Sequence, residues 1–160
     1  MGSSVDIDRY ERIWIIISAL VLAVLFAVLL YNTYGQGVHM ETDVGQVHPD
    51  DVATTPPFDQ PGLRQTGPGE YEAVMIAQAW AFTPREIRVP VGSTVHFTLT
   101  SIDVVHGFKI PRTTVNRMII PGQVTKVSHR FTEPGRYDFV CHEYCGAGHH
   151  VMSGGVIVEQ

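Results

Sequence analysis

The sequence predicts a mainly β protein, a small β-sandwich carried on one N-terminal membrane-spanning helix. Three observations predict it. Residues 13–34 form an apolar run without a charge. From about Tyr71 apolar residues recur with a period of two. Pro-Gly pairs and single glycines punctuate the rest at short intervals. A chain of 160 residues holds one ordinary domain and something extra, which suits this division.

The apolar run, IWIIISALVLAVLFAVLLYNTY, extends from Ile13 to Tyr34. At 1.5 Å per residue its 22 residues make about 33 Å of helix, enough to cross a bilayer core. A cleaved signal peptide would be shorter and followed by a small-residue cleavage site. This run is long, ends in Tyr31 and Tyr34, and has no Ala-x-Ala site after it. Arg9 and Arg12 precede it, and no Lys or Arg follows until Arg64. The positive-inside rule then puts residues 1–12 in the cytoplasm and the chain beyond the cell membrane span on the outer side. Trp14 and the two tyrosines sit near the ends, where amphipathic rings favour the interface.

Residues 35–68 are rich in Gly, Pro, Asp, Thr and Gln and show no apolar period. They read as an extended linker that holds the next domain near the membrane. His39 and His48 read as solvated loop histidines. The formal net charge of −5 also resides largely here, with five acids against Arg64 over residues 35–65. An acidic chain argues against nucleic-acid binding. Residues 66–160 hold eight acids and eight Lys or Arg, so a long-range charge field is not the obvious docking device of that part.

Residues 69–160 form the β domain. In TVHFTLT, Val95, Phe97 and Leu99 face one way while Thr94, His96, Thr98 and Thr100 face the other, as in a half-buried strand. EIRVPV, VNRMII, VTKVSHRF, RYDFV and GGVIV are similar short runs. Many short strands with turn signals between them argue for a sandwich.

The segment CHEYCGAGHHVMSGG, residues 141–155, carries the chemistry. Cys141, Cys145, His149 and Met152 follow as Cys-x-x-x-Cys-x-x-x-His-x-x-Met. Thiolate, imidazole and thioether are soft donors, and copper suits them best. A mononuclear blue-copper site needs one Cys, a nearby His, a distant His and a weak axial Met. This loop has one thiolate more than that, which a second metal bridged by both sulfurs would use. The distant histidine is expected at His106, in DVVHGFKI, beside Gly107 at a strand end. A Cys141–Cys145 disulfide would leave the His and Met spacing unexplained. A zinc site of two cysteines and two histidines has no use for Met152. His96, His129, His142 and His150 read as surface or strand residues. Met40, Met75 and Met118 read as linker or core.

The loop resembles the Cu(A) loop of subunit II of haem-copper cytochrome c oxidases. The resemblance covers nearly the whole chain: one anchor, a linker, DVVHGF and the six-point loop. The single helix and short length look most like the B-type oxidases. The resemblance implies a cupredoxin-like Greek-key sandwich and two copper ions. Cys141 and Cys145 match the bridging thiolates, and His106 and Met152 the terminal ligands of one copper. His149 and the backbone carbonyl of Glu143 match those of the other. Larger oxidases also carry Glu at the Glu143 position, where its side chain reaches a magnesium at the subunit I interface. B-type chains carry Gln there, so this sequence mixes the two patterns. Trp80, in QAWAF, falls where the family places an aromatic residue for electron uptake. Tyr10-Glu11-Arg12 resembles the segment before the B-type anchor, whose glutamate lies at the mouth of a proton path.

On this resemblance the chain is one subunit of an oxidoreductase. It accepts single electrons from cytochrome c or a similar small carrier and passes them to haem in subunit I, where oxygen is reduced to water. The neutral domain implies an apolar contact patch and a weak salt dependence of turnover. Two other readings stay open. A Cu(A)-type nitric oxide reductase would use the same kind of subunit. A membrane-tethered copper carrier or sensor would hold one exchangeable copper.

Overall fold

The computed structural model describes residues 8–35 and 45–160. Two compact units divide the chain, Met1–Thr42 and Asp43–Gln160. His39 and Met40 lie outside the described residues.

In the first unit, helix α1 runs from Arg9 to Leu30. Asp8 caps it by accepting from the Tyr10 amide at 3.3 Å, and Glu11 sits in the first turn, where a carboxylate suits the helix dipole. The backbone continues as a π turn over Tyr31–Gly35. None of the helix is buried, and its apolar residues point all round. With its continuation to Tyr34 it is long and apolar enough to cross a membrane.

The second unit is a two-sheet β structure with ten strands. These are β1 (Gly62–Gly67), β2 (Glu70–Gln78), β3 (Ala81–Thr83), β4 (Glu86–Pro90) and β5 (Thr94–Ser101). The others are β6 (His106–Lys109), β7 (Asn116–Ile119), β8 (Thr125–Arg130), β9 (Gly135–Val140) and β10 (Ser153–Glu159). One sheet has the order β1-β2-β5-β8 with β3 added on β2; the other is β4-β10-β9-β6-β7. The β2–β5 and β4–β10 pairs are parallel and the rest antiparallel. Each of the six expected strands is present, and the expected mainly β sandwich with one N-terminal helix is the fold observed.

Val95, Phe97 and Leu99 point into the core as their alternation predicts. Phe82, Phe97, Phe108 and Phe139 meet there with ring centroids 5.1 to 5.7 Å apart. Steeply inclined rings, as in Phe82–Phe139, suit the aromatic quadrupole. Cys141, Cys145 and Met152 belong to this same cluster, so the sulfur-rich loop closes one end of the core.

The expected linker over residues 35–68 needs correction from Gly45 onward. Gln46 bridges to Gln123, and a 3-10 turn occupies Pro49–Thr54. Val47, Val52 and Phe58 bury against Val74 on the outer face of β2, and β1 pairs with β2 as an edge strand. This strap explains two local patterns. β2 reads AVMIA because both its faces are covered. Thr98 and Thr100 face outward but are buried, and their hydroxyls donate to Glu72 Oε1 and to the Gln123 carbonyl. The strap shows no period because it covers a surface with isolated side chains. Met118 also departs from its core reading, being 47% exposed on β7.

Candidate metal centre

β9 delivers Cys141 to the end of the sandwich, and the chain then leaves the ladder until β10 begins at Ser153. The Cys141 amide and the Met152 carbonyl close the base of this loop at 3.1 Å. His149 opens a single 3-10 turn, His149–Val151, that brings Met152 back over the core. His106 enters from the facing part of the sheet, as the first residue of β6, and is wholly buried.

The donor atoms converge. Cys141 Sγ and Cys145 Sγ lie 3.8 Å apart, and both cysteines are free. His106 Nδ1 is 3.9 Å from Cys141 Sγ, and the Glu143 carbonyl oxygen is 3.2 Å from it. On the other side His149 Nδ1 and Met152 Sδ each lie 3.6 Å from Cys145 Sγ. His106, Cys141 and Cys145 place their ligand atoms within 4.8 Å of one another. All six residues singled out by spacing and resemblance therefore meet at one place. Two thiols, two ring nitrogens, a thioether and a carbonyl make a soft set that fits copper, and the sulfur pair at its middle can bridge two ions.

Electrostatics prepare the site. His106 Nε2 lies 2.8 Å from Asp103 Oδ1, which leaves Nδ1 free to face the sulfurs. Such a carboxylate fixes the tautomer and the orientation of a ligating ring. Burial alone would raise the Asp103 carboxyl. Its bonds with His106 and with the Val104 and Ala79 amides outweigh this and hold it below the ordinary carboxylate value. Burial, followed by the neighbouring Cys141 thiol, pushes Cys145 up to about 11. Without metal that thiol keeps its proton at neutral pH, so metal uptake must displace it.

Trp80 sits between β2 and β3 with its Nε1 donating to the Cys145 carbonyl at 3.2 Å. Its ring presses on the loop so closely that a Cβ at Gly148 would come within 2.5 Å of it. Glu11 lies in the other unit, exposed in the first turn of α1. Sequence reasoning missed two residues. Asp103 is three positions before His106, and that spacing was its only signal. His142 read as an ordinary surface histidine, yet its ring packs on Gly107 beside the cysteines.

Residues 76–160 match the family described as cytochrome C oxidase subunit II, periplasmic domain. A cytochrome c oxidase subunit 2 of Thermus thermophilus is 36% identical over 155 residues, spanning 94% of this chain and 92% of that protein. A cryo-EM structure of a heme-copper terminal oxidase dimer contains a chain 36% identical to this one. The match has a TM-score of 0.67 and covers 94% of this chain and all of that one. The periplasmic domain of oxidase subunit II (CoxB) of Bradyrhizobium japonicum, 22% identical, shares the fold. Its TM-score is 0.52, with 56% of this chain and 83% of that one covered.

Proposed function

The chain belongs to the cytochrome c oxidase subunit II family, and from that premise we propose that it takes up electrons for a haem-copper terminal oxidase at a dinuclear copper site. One observation carries the reading. Every donor of the six-residue set lies within 4 Å of one or the other of two free sulfurs. Cys141 and Cys145 would bridge two coppers. His106 and Met152 would complete one coordination sphere, and His149 with the Glu143 carbonyl the other. When bound, the pair supplies a one-electron couple whose charge is shared over both ions and both sulfurs.

The chain's own residues do the rest. Asp103 holds His106 in place, and the core beneath Cys141, Cys145 and Met152 excludes water. Strands on both sides limit how far the donors move on a change of charge. The rim offers Trp80, Val104, Tyr144 and Val151 to solvent. This is an apolar face for cytochrome c or a similar small carrier, and Trp80, bonded to the Cys145 carbonyl, is the contact through which electrons come in. Haem in subunit I receives them and oxygen is reduced there. The Glu143 carboxylate, beside His142, would be the group facing a magnesium at that subunit. Arg9 and Arg12 keep the N-terminus in the cytoplasm and the copper domain outside. Glu11 would be the carboxylate at the start of a proton path into subunit I.

The test is copper content and electron paramagnetic resonance on the full chain purified in detergent. Two coppers per chain, with hyperfine structure from one electron shared by two nuclei, are expected. A single copper with a mononuclear spectrum would move the carrier or sensor reading to the front.

A further inference from the structure

The join between β6 and β9 is a short seam. One register pair, Lys109 with Val140, links the two strands. β6 and β7, by contrast, pair from His106 with Ile119 to Lys109 with Asn116. Beyond Val140 the chain becomes the cysteine loop, so contacts outside the ladder must hold the β6–β7 hairpin to it. Besides the approach of His106 Nδ1 to Cys141 Sγ, two such contacts are present. The Gly107 amide donates to Cys141 Sγ at 3.4 Å. His142 Nε2 lies 3.2 Å from the Arg117 carbonyl, which can only accept, so Nε2 carries the proton of that bond.

The imidazole also covers Gly107. A Cβ there would come within 2.5 Å of Cγ and Cδ2 and within 2.6 Å of Nδ1. Near-equal distances to three ring atoms mean that the ring turns its face to the glycine. His142 therefore grips both strands of the hairpin, Gly107 through its face and Arg117 through its edge. Its own chain neighbours are Cys141 and Glu143, and Glu143 Oε1 lies 3.3 Å from Nδ1.

We infer that His142 is a positioning residue that clamps the β6–β7 hairpin onto the cysteine loop and so fixes the Gly107 amide on the Cys141 sulfur. The inference rests on the copper reading above. An N–H aimed at a ligating thiolate draws electron density from the sulfur and favours the reduced metal, which raises the reduction potential. Loosening the clamp weakens that bond and lowers the potential. A residue that merely fills the surface would change stability and leave the potential alone.

The experiment uses the full chain in detergent, loaded with copper. Midpoint potential and copper hyperfine splitting are read for the unaltered protein and for His142→Ala, His142→Gln and His142→Phe. His142→Ala is expected to lower the reduced-to-oxidised ratio at the original midpoint ~10-fold, or about 59 mV for a one-electron couple. Gln keeps a donor for the Arg117 carbonyl and Phe keeps a ring over Gly107, so each should recover part of the shift. An Ala variant with unaltered potential and splitting overturns the inference. Should Ala fail to fold, Gln and Phe decide it: a downward shift in either supports the clamp, and two unshifted potentials overturn it. An unaltered protein that binds fewer than two coppers sinks the copper reading itself, before any variant is compared.

Discussion

The cysteine loop, residues 141–152, and the strap, residues 45–58, both lie on the sandwich largely without strands, and they are held by opposite means. The loop is an extension of the main core: Cys141, Cys145 and Met152 pack in the same cluster as Phe139 and Val156. Its donors point inward and toward each other, which no apolar gain demands. The strap forms a separate small cluster in which Val47, Val52 and Phe58 cover Val74. The comparison separates two reasons for a residue to be buried. In the loop, atom type decides; in the strap, volume decides.

Substitutions can break this division. Replacing Cys145 by Ser removes one of the two sulfurs while nearly keeping its volume. The two-copper spectrum should vanish and copper affinity fall by more than the ~100-fold that loss of an outer-shell partner can cost, because a ligand itself is removed. The protein should stay folded by circular dichroism. A shared-electron spectrum surviving in that variant would refute the bridging role. Phe58→Ala should do the reverse. Emptying a wholly buried aromatic site costs about 3–5 kcal/mol, read by denaturant unfolding. The copper spectrum should be unchanged, because Phe58 touches the outer face of β2 and no donor.

The same division explains what could be read in the sequence. The cysteine loop was legible because coordination fixes residue identity and spacing together, and its four side-chain donors fall in twelve consecutive residues. His106 was legible as the histidine beside Gly107 at a strand end. The six expected strands announced themselves by alternation. The strap did not, because Val47, Val52 and Phe58 are spaced at five and six residues, which matches neither strand nor helix. Its Pro56-Pro57 pair and its polar residues resembled an extended linker. β1, GLRQTG, is an edge strand with mostly polar outward residues and carries almost no pattern. Asp103 and His142 were illegible for a different reason. Each acts on the site by a contact across the fold or across a turn: His142 has no spacing of its own, and the three-residue step from Asp103 to His106 is too common to mark it.

Asp103 gives a smaller test of the loop side. Asp103→Asn keeps the shape but weakens the hold on His106 Nε2. Copper affinity should fall ~10-fold, the lower end of the range for partners of ligating histidines, as measured by competition with a chelator. Unfolding of the metal-free chain should move much less than in Phe58→Ala. Equal losses in both measurements would mean that Asp103 serves the fold and not the site.

The last expected effect is a pH dependence that belongs to one region only. In the metal-free chain Cys145 is pushed up to about 11, whereas an unfolded cysteine ionises near ~8.5. Between those values the unfolded chain gives up the proton and the folded chain keeps it. The unfolded state then binds fewer protons, so this group makes stability fall as pH rises through that window and leaves it level below. Copper should abolish the fall, because the bound sulfur is already a thiolate on the folded side. Phe58→Ala should lower the whole curve and keep its slope, since the strap contains no group that titrates there. Denaturant unfolding from pH ~7 to ~10 distinguishes the cases. A slope that survives in metal-free Cys145→Ser would place its origin in another group and remove burial of this thiol as the cause.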